Sequence, residues 1–317
     1  MTLDNILEEI KKAEKIVILT HDTPDGDAIG SSLAMKHAIK ILGKEADVII
    51  PEYSECFSFL PGISEIKKES NIKAYDLALA LDCADGKILK GYDPYFENAK
   101  MKIVIDHHSS NKMYGDINFV NPVAPACCEI LVGIFDYLGI EITKEIGTAV
   151  ITGIITDTGG FDYNATAETF DFAAMLLRKG INISEVYRKA LKIKTRPNFE
   201  LRKLADERME FLEDGKVTFT YITLEDEKRV NAKTGDHEGL VENGRDIEGV
   251  EVSVFLHEKE GKQGFKLSLR SSEYVNVSDV CLMFGGGGHQ KAAGAFVPGT
   301  VEQIKEKVLA EIRKQLK

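Results

Sequence analysis

The chain has 317 residues, which is long for one hydrophobic core and predicts two domains. Its 40 basic and 51 acidic side chains give a net charge of −11, and no lysine or arginine stripe is present, so long nucleic acids are excluded as partners. The sequence has no run of about 18 apolar residues, and it begins with an acidic amphipathic segment. We therefore expect a cytoplasmic protein without a membrane partner. The five cysteines form no CxxC pair, which is typical of reduced thiols.

The first chemically informative segment is IVILTHDTPDGDAIGSSLA, at residues 16–34. Its first four residues are aliphatic and predict a short buried strand, and the apolar residues after Ala28 have helical spacing. His21, Asp25 and Asp27 lie in the turn between the strand and the helix. An imidazole and carboxylates after a strand suit a divalent cation.

Three further strands are predicted in the first half of the chain, over residues 46–51, 76–81 and 101–105. They alternate with helical segments, which predicts an α/β fold with a doubly wound, mostly parallel sheet. The carboxyl ends of parallel strands share one edge of the sheet, so the polar residues that follow the strands should converge there. These residues are His21, Asp25, Asp27, Asp82, His107 and His108.

Four more helices are predicted over residues 126–138, 144–155, 166–180 and 184–194. The second of them continues into TDTGGF, so that Asp157 lies at a turn marked by two glycines. Asp157 adds a fourth aspartate to a group whose carboxylates would repel each other without bound cations.

Two histidines and the four aspartates of this group would give six ligands, which is more than one ion needs. Oxygen and nitrogen donors without a thiolate favour Mn²⁺, with Mg²⁺ or Co²⁺ as alternatives, over structural zinc. Two ions that share a carboxylate are typical of phosphoester hydrolysis.

The second half of the chain has a different pattern. Pro197 interrupts the chain, and a charged linker helix over residues 196–214 is predicted to join domains at 1–195 and 215–317. Alternating apolar residues predict strands near 217–221, 250–256 and 265–269, and helices are expected at 278–284 and near the end of the chain. This pattern predicts a smaller α/β domain with a mixed sheet.

The segment GGGGHQKAAGA lies at residues 285–295. Consecutive glycines expose backbone N–H groups and can form a cavity that binds an anion, to which His289 and Lys291 would add donors. A flexible loop is the alternative, but the compact residues that follow favour the anion-binding interpretation.

Several of these segments together resemble a known family. HDTPDGDAIGSSLA, LDCAD, DHH and TDTGGF occur in the order of the four motifs of the DHH phosphoesterase superfamily. RDIEGVEV, SLRS and GGGGHQKAAGA resemble its DHH-associated C-terminal domain. The combination is most similar to the nanoRNase and pAp phosphatase branch. This resemblance implies a manganese-dependent phosphodiesterase that hydrolyses very short oligonucleotides, such as pApA, to mononucleotides and has 3′-phosphatase activity on pAp.

The resemblance also implies roles for individual residues. Two manganese ions would be bridged by Asp82, the first held by His21, Asp25 and Asp82 and the second by Asp27, Asp82, His107 and Asp157. His108 would contact the scissile phosphate, and Asp106 would orient the histidines. The terminal phosphate and nucleotide of the substrate would be bound by Arg270, Gly286, Gly287, Gly288 and His289.

Some questions stay open at the level of sequence. Cyclic di-AMP is an alternative substrate. The segment GGGGH disfavours an inorganic pyrophosphatase, and the complete set of predicted metal ligands disfavours a non-catalytic nucleotide sensor. Asp162 follows TDTGGF where many relatives have a basic or amide residue, so a phosphate contact is weakened or the substrate preference is shifted. The oligomeric state is not determined, and a homodimer is one of the states that the sequence allows.

Overall fold

A computed structural model of the protein describes residues 3–89 and 91–317. The chain folds into two compact units, of which the first ends at Ile193 and the second begins at Lys194. The described strands form a five-stranded sheet in the first unit and a six-stranded sheet in the second. Both units combine their sheet with helices, which confirms the predicted α/β class.

The first unit alternates strands and helices along the chain. Its elements are α1 (Leu3–Lys12), β1 (Ile16–Leu19), α2 (Gly26–Ile41), β2 (Ala46–Val48), β3 (Leu77–Leu81), α3 (Asp93–Glu97), β4 (Met101–Asp106), β5 (Ile117–Val120), α4 (Cys127–Tyr137), α5 (Lys144–Asp157), α6 (Ala167–Arg178) and α7 (Ile183–Tyr187). The strands pair in the order β2-β1-β3-β4-β5, and every pair is parallel.

Both faces of this sheet are covered, which explains why its strands are continuous apolar runs. On one face, Ile18 and Leu79 belong to the core that includes buried residues of α1, α2, α4 and α5. On the other face, Val17 and Ala78 pack in a second cluster with Phe96 from α3. The first unit is therefore doubly wound, as the sequence predicts.

The strand order determines where the polar segments meet. β1, β3 and β4 lie side by side, with Leu19 level with Ala80 and Leu81 level with Ile105. The chain continues from β1 to β2 on one side of the sheet, and β3 pairs on the other side of β1. The point between β1 and β3 is thus a topological switch point, where α/β sheets have a crevice at their carboxyl edge.

Three details of the first unit differ from the sequence prediction. The strand predicted over 46–51 ends at Val48, and the next residue, Ile49, forms only an isolated bridge with Lys67. Strand β5 was missed because its four residues are only half-buried and have no clear apolar pattern. The helix predicted over 184–194 is a short α7 followed by a π-helical turn at Arg188–Lys192.

The second unit is built on a mixed sheet. Its elements are α8 (Arg196–Glu207), β6 (Glu210–Leu212), β7 (Val217–Ile222), α9 (Leu224–Val230), α10 (Leu240–Arg245), β8 (Val252–Glu258), β9 (Gly264–Ser271), α11 (Val277–Leu282), β10 (Gly287–His289), β11 (Ala292–Pro298) and α12 (Val301–Arg313). The strands pair in the order β10-β11-β9-β8-β7-β6, with β7 and β8 parallel and the other pairs antiparallel. Among the described residues, no helix is long and apolar enough to cross a membrane.

The linker helix predicted over residues 196–214 is shorter in the structure. Helix α8 ends at Glu207, and Glu210–Leu212 pairs with β7 as an edge strand. Pairing with β7 gives this segment sheet hydrogen bonds, an alternative to the helix that local propensity cannot detect. α8 belongs to the second unit, where Leu201 and Ala205 pack with Phe255.

An ion pair joins the end of α8 to the start of α9. Both terminal nitrogens of the Arg208 guanidinium donate to the Asp226 carboxylate, at 2.5 and 2.9 Å, and Thr223 donates to the same group through its N–H and hydroxyl. Burial opposes ionisation of Asp226, but the hydrogen bonds from Arg208 and Thr223 outweigh it and lower its pKa to about 2.

We expect Asp226→Asn to lower the free energy of unfolding at pH 7 by about 2 kcal/mol. The folded-state pKa lies below the ordinary value, so the stabilisation is present above about pH 4 and is lost as pH falls towards 2. The difference between the variant and the wild type should therefore shrink over that range, as measured by urea unfolding followed by circular dichroism. Glu225→Gln, an exposed neighbour on α9, is the control and should change stability by less than about 0.5 kcal/mol. A difference independent of pH would contradict the assignment to the Asp226 charge.

Candidate active site

The turn after β1 places two aspartates in different environments. The Asp25 carboxylate caps α2, because its Oδ1 accepts hydrogen bonds from the backbone N–H groups of Asp27 and Ala28 at 2.9 and 3.0 Å. Asp27 lies in the first turn of α2 and is fully buried. Its two carboxylate oxygens accept the N–H groups of Cys127 and Cys128, at 2.6 and 2.9 Å, at the start of α4. Asp25 thus fixes the helix start, and α4 fixes Asp27.

Asp82, directly after β3, has a strained backbone. Its φ is +51°, in the left-handed region that is unfavourable for residues other than glycine. Its N–H donates to the carbonyl of Ile105 at 3.1 Å, which holds this conformation beside the end of β4. Strained residues of this kind concentrate at functional sites. The strain turns a buried carboxylate towards the strand ends, where Asp82 Oδ2 lies 3.7 Å from His21 Nε2.

Asp106 orients the two histidines that follow it. Its Oδ1 accepts the backbone N–H of His107 and lies 2.8 Å from Nδ1 of His108, so that this ring nitrogen donates. Nδ1 of His107 lies 3.2 Å from the carbonyl of Ala124, which can only accept. Nε2 of each ring is therefore directed away from these hydrogen-bond acceptors. This arrangement is the one that fixes the tautomer of histidines that bind metals.

The structure brings the six predicted metal ligands together at the carboxyl edge of the sheet. One group contains His21, Asp25 and Asp82, and another contains Asp27, His107 and Asp157; within each group the ligand atoms lie within 4.8 Å of one another. Asp82 links the groups, because its Oδ1 lies 3.4 Å from His107 Nε2. Asp157 Oδ2 is 3.3 Å from the same nitrogen. His21, Asp25, Asp82, Ala84, His108 and Asp157 line a cavity of about 210 Å³.

Burial and charge move the pKa values of these groups apart. Burial, strengthened by the charge of Asp82, raises the pKa of Asp27 to about 7, and burial also raises that of Asp157 well above its usual range. Asp82 behaves differently: burial opposes its ionisation, but the nearby imidazoles of His107 and His21 hold its pKa well below the usual range. The cluster thus carries several acidic groups that a positive charge would stabilise.

The surroundings of His108 favour its cationic form. Burial opposes its protonation, but its hydrogen bond to Asp106 and the charge of Asp82 raise its pKa to about 9. The ring is about a quarter exposed, with 27% of the side-chain surface accessible. It can therefore donate a hydrogen bond to an anion in the cavity.

Two of the predicted ligand-binding residues of the second unit, Arg270 and His289, lie near each other in its sheet. Arg270 on β9 is level with Ala292 on β11, which is level with His289 on the edge strand β10. Residues that pair directly across antiparallel strands share a face, so Arg270 and His289 lie on one face with only an alanine between them. The Arg270 guanidinium also donates to Glu242 at 2.9 Å.

The glycine segment is more regular than the sequence predicts. Gly287 and Gly288 belong to β10, and a Cβ on Gly288 would lie 2.6 Å from the carbonyl oxygen of Ala292, so the close pairing of the hairpin requires glycine there. Gly286 precedes the strand, and its N–H donates to the carbonyl of Cys281. Lys291, expected as a donor beside the glycines, instead donates to the carbonyl of Ser272 at 2.7 Å. Two of the predicted ligand-binding glycines therefore belong to a strand at the edge of the sheet.

Comparison with known proteins agrees with these observations. The model of the DHH family N-terminal domain matches residues 15–154, and that of the DHHA1 domain matches residues 214–317. The bifunctional oligoribonuclease and PAP phosphatase NrnA of Thermus thermophilus is 35% identical over 98% of this chain and 94% of that protein. The chain belongs to the DHH family. The resemblance stated from the motifs is confirmed.

Other relatives and solved structures cover nearly the whole chain. The cyclic-di-AMP phosphodiesterase PdeA of Listeria monocytogenes is 25% identical over 98% of this chain, but over only 48% of its own length. The crystal structure of an exopolyphosphatase-related protein from Bacteroides fragilis has a TM-score of 0.88 at 28% identity and covers 98% of this chain and 95% of its own. The structure of RecJ from Thermus thermophilus with Mn²⁺ has a TM-score of 0.56 at 15% identity, covers 99% of this chain and 54% of its own, and shows a shared fold.

The sequence did not reveal every residue that shapes this DHH-family site. The Asn111 side-chain amide donates to Asp106 Oδ2 at 2.6 Å and to the Cys83 carbonyl at 3.2 Å. The Tyr114 hydroxyl donates to the same carbonyl at 2.9 Å. Asn111 thus holds the carboxylate that orients His107 and His108. In the sequence, only the position of Asn111 five residues after Asp106 could have indicated this role.

The sequence also did not reveal the role of Gly153, on α5. A Cβ at this position would overlap Asp27 Oδ1 and Cys128 Sγ, so only glycine lets α5 pack this close to the buried carboxylate. Gly133, on α4, provides a contrast, since a Cβ there would meet no atom within 4 Å.

We expect Gly153→Ala to weaken Mn²⁺ binding by about 10- to 100-fold, because it displaces the Asp27 carboxylate from its hydrogen bonds. Isothermal titration of the purified full chain measures this effect. Gly133→Ala is the matched control and should leave Mn²⁺ affinity unchanged while stabilising its helix by up to about 1 kcal/mol. Equal affinities in both variants would show that the packing at Gly153 does not support the site.

Proposed function

We propose that this protein is a manganese-dependent phosphodiesterase that hydrolyses very short oligonucleotides, including pApA, to mononucleotides and removes the 3′-phosphate of pAp. One observation carries the proposal. Two clusters of carboxylates and histidines lie at the carboxyl edge of the first sheet, and Asp82 links them. The similarity to NrnA of Thermus thermophilus, a bifunctional oligoribonuclease and PAP phosphatase, supports the substrate class. The net charge of −11 agrees with a small substrate rather than long nucleic acid.

The residues at this edge fit divalent metal ions. Asp82 Oδ1 is buried and has no hydrogen-bond partner in the described part of the chain, a costly state that a cation would relieve. Cys83, Cys127 and Cys128 are buried nearby, and burial raises the pKa of Cys83 to about 12 and those of the other two well above the usual range. These thiols stay protonated, so the donor set is oxygen and nitrogen, which favours Mn²⁺ over a thiolate-bound ion.

We assign the ligands to two ions. His21, Asp25 and Asp82 would hold one Mn²⁺, and Asp27, Asp82, His107 and Asp157 would hold the other, with Mg²⁺ or Co²⁺ as alternative ions. Such ions supply Lewis-acid charge to phosphoryl oxygens and activate water when they are bound. The crystal structure of RecJ with Mn²⁺, which shares this fold, is consistent with the choice of metal.

The protein contributes its own groups to the reaction. Asp106 and Asn111 hold His108, and the hydrogen bond to Asp106 favours its protonated ring, which can donate a hydrogen bond to the scissile phosphate and stabilise the charge that develops on the leaving oxygen. The hydrogen bond from His107 Nδ1 to Ala124 leaves its Nε2 lone pair available for a metal.

In the second unit, we propose that Arg270, Gly286, Gly287, Gly288 and His289 bind the terminal phosphate and nucleotide of the substrate. Arg270 and His289 share a face of the sheet across Ala292, with Cα atoms about 10 Å apart. β10 is an edge strand with only one neighbouring strand, so backbone groups on its outer side face away from the sheet. A guanidinium, an imidazole and backbone N–H groups together suit a phosphate.

Hydrolysis of cyclic di-AMP is a second candidate, supported by the similarity of the whole chain to part of PdeA. The linear product pApA would be a substrate under either activity. Only the cyclic compound distinguishes the two.

Chromatography of reaction products with Mn²⁺ tests the proposal. We expect the wild type to convert pApA and a four-residue RNA to mononucleotides and pAp to AMP, and to cleave cyclic di-AMP more slowly than pApA. Absence of turnover of every substrate would rule out the enzymatic function, and a preference for cyclic di-AMP would favour the second candidate.

Two substitutions test the assignment of the site. Asp82→Asn removes the shared carboxylate charge and should abolish both Mn²⁺-dependent activity and binding of at least one ion. His108→Asn should lower kcat by about 10²- to 10³-fold while Mn²⁺ binding is retained, because His108 is assigned to phosphate rather than to metal. Full activity of either variant would contradict its assigned role.

Arg270→Ala tests the substrate contact in the second unit. Loss of one charged hydrogen bond to phosphate should raise KM for pApA by about 10- to 100-fold, with Mn²⁺ affinity unchanged. Lys203→Ala, which removes an exposed cation of the same unit, is the control and should leave KM within about twofold. An unchanged KM for Arg270→Ala would exclude Arg270 from substrate binding.

A further inference from the structure

Two histidines and a glutamate converge in the second unit, outside all the residues assigned above. They are Glu227 on α9, His237 in the loop before α10 and His257 near the end of β8. Ligand atoms of the three side chains lie within 4.8 Å of one another. No sequence motif links them, and the helix, loop and strand that carry them meet only in the folded unit.

The contacts within this group are close. Nε2 of His257 lies 2.9 Å from Oε1 of Glu227. The rings of His237 and His257 have centroids 4.2 Å apart, with an angle of 39° between their planes. Two imidazoles and a carboxylate are therefore gathered in a space small enough for a single ion.

A simple hydrogen bond between His257 and Glu227 does not account for the whole group. His257 is only 4% exposed, and its Nδ1 is buried without a partner among the described residues. The hydrogen bond between His257 Nε2 and Glu227 Oε1 engages one nitrogen of this buried ring and involves no atom of His237. It therefore leaves the close approach of His237 unexplained.

The loop that carries His237 is fixed by hydrogen bonds to α8. The neighbouring residue Asp236 accepts the Thr195 hydroxyl at 2.5 Å, and its carbonyl accepts the Asn198 amide at 2.7 Å. The Asp236 carboxylate also accepts the N–H of Lys233 at 2.7 Å. These bonds hold the histidine in position before any ligand arrives, which lowers the entropic cost of binding.

The charges around the group select the kind of ion. Lys266 and Lys259 lie close enough to His237 for their positive charges to act on its ring. The same two lysines oppose a hard cation, which would depend on several carboxylates. An ion that bonds strongly to imidazole tolerates this environment better.

We propose that Glu227, His237 and His257 form a metal site for a borderline divalent ion, with Zn²⁺ as the best match. Two imidazoles and one carboxylate are a set of three protein ligands that Zn²⁺ uses, with water as a fourth. The ion would join α9, the loop before α10 and the end of β8, and would therefore stabilise the second unit. The site is independent of the proposed phosphodiesterase activity.

Zinc content measured by mass spectrometry after equilibrium dialysis tests the proposal. Full-length wild type, Glu227→Gln, His237→Gln and the control Glu225→Gln are dialysed against Zn²⁺ with Mn²⁺ in excess. Glu225 is exposed on the same helix and lies outside the group. We expect Glu227→Gln and His237→Gln each to bind one Zn²⁺ per chain fewer than the wild type and the control. Any zinc at the candidate active site contributes equally to all four proteins and cancels in the comparison.

Crystals of the wild type soaked in Zn²⁺ give a second measurement that needs no variant to fold. Diffraction data above and below the zinc absorption edge should show an anomalous peak in contact with Glu227, His237 and His257. Equal zinc content in all four proteins, or no anomalous peak at this position, would overturn the proposal. Mn²⁺-dependent hydrolysis of pApA should be unchanged in Glu227→Gln, so failure of the activity and failure of the zinc site are distinguishable.

Discussion

Repulsion between buried carboxylates is the constraint on which the first unit depends. Asp27 and Asp82 are almost completely buried, and Asp157 lies beside them. Gathering such groups is unfavourable unless hydrogen bonds or opposite charges compensate. The protein compensates unequally: Asp82 is held ionised by His107 and His21, whereas the pKa values of Asp27 and Asp157 are raised. The negative charge that is left uncompensated makes this edge of the sheet suited to cations.

The fold provides the partial compensation through backbone geometry. Parallel strands align the ends of β1, β3 and β4, and the left-handed conformation of Asp82 turns its side chain towards them. The start of α4 presents two N–H groups to Asp27, at the helix end where a negative charge is favoured. Gly153 leaves the space in which that carboxylate lies. The contacts that pack the helices of the first unit therefore also hold the acidic side chains of the site.

The second unit handles its polar groups in a different way. One face of its mixed sheet carries Val254 and Leu256 into the larger core, while the other face carries Arg270 and His257 beside Phe255. Arg270 is paired with Glu242 and Asp226 with Arg208, so each of these charges has a direct partner. The group around His257 differs because it contains one carboxylate and two imidazoles. An oxygen-rich edge in one unit and an imidazole-rich group in the other favour different metal ions.

The sequence by itself determined the elements that depend on local pattern and on close spacing. Short apolar runs predicted β1, β3 and β4, and the polar residues after these runs predicted five of the six ligands that the structure brings together. The sixth, Asp157, was predicted from the glycine turn at the end of a helix. Tertiary structure alone decided the rest. Asn111, Gly153 and the N–H groups of Cys127 and Cys128 act through backbone or packing, which has no side-chain signature. The glycine segment became a strand only because β11 pairs with it, and His237 approaches His257 only because separate elements pack together. Contacts between distant segments are determined by the packing of the whole unit, and no local pattern in the sequence encodes them.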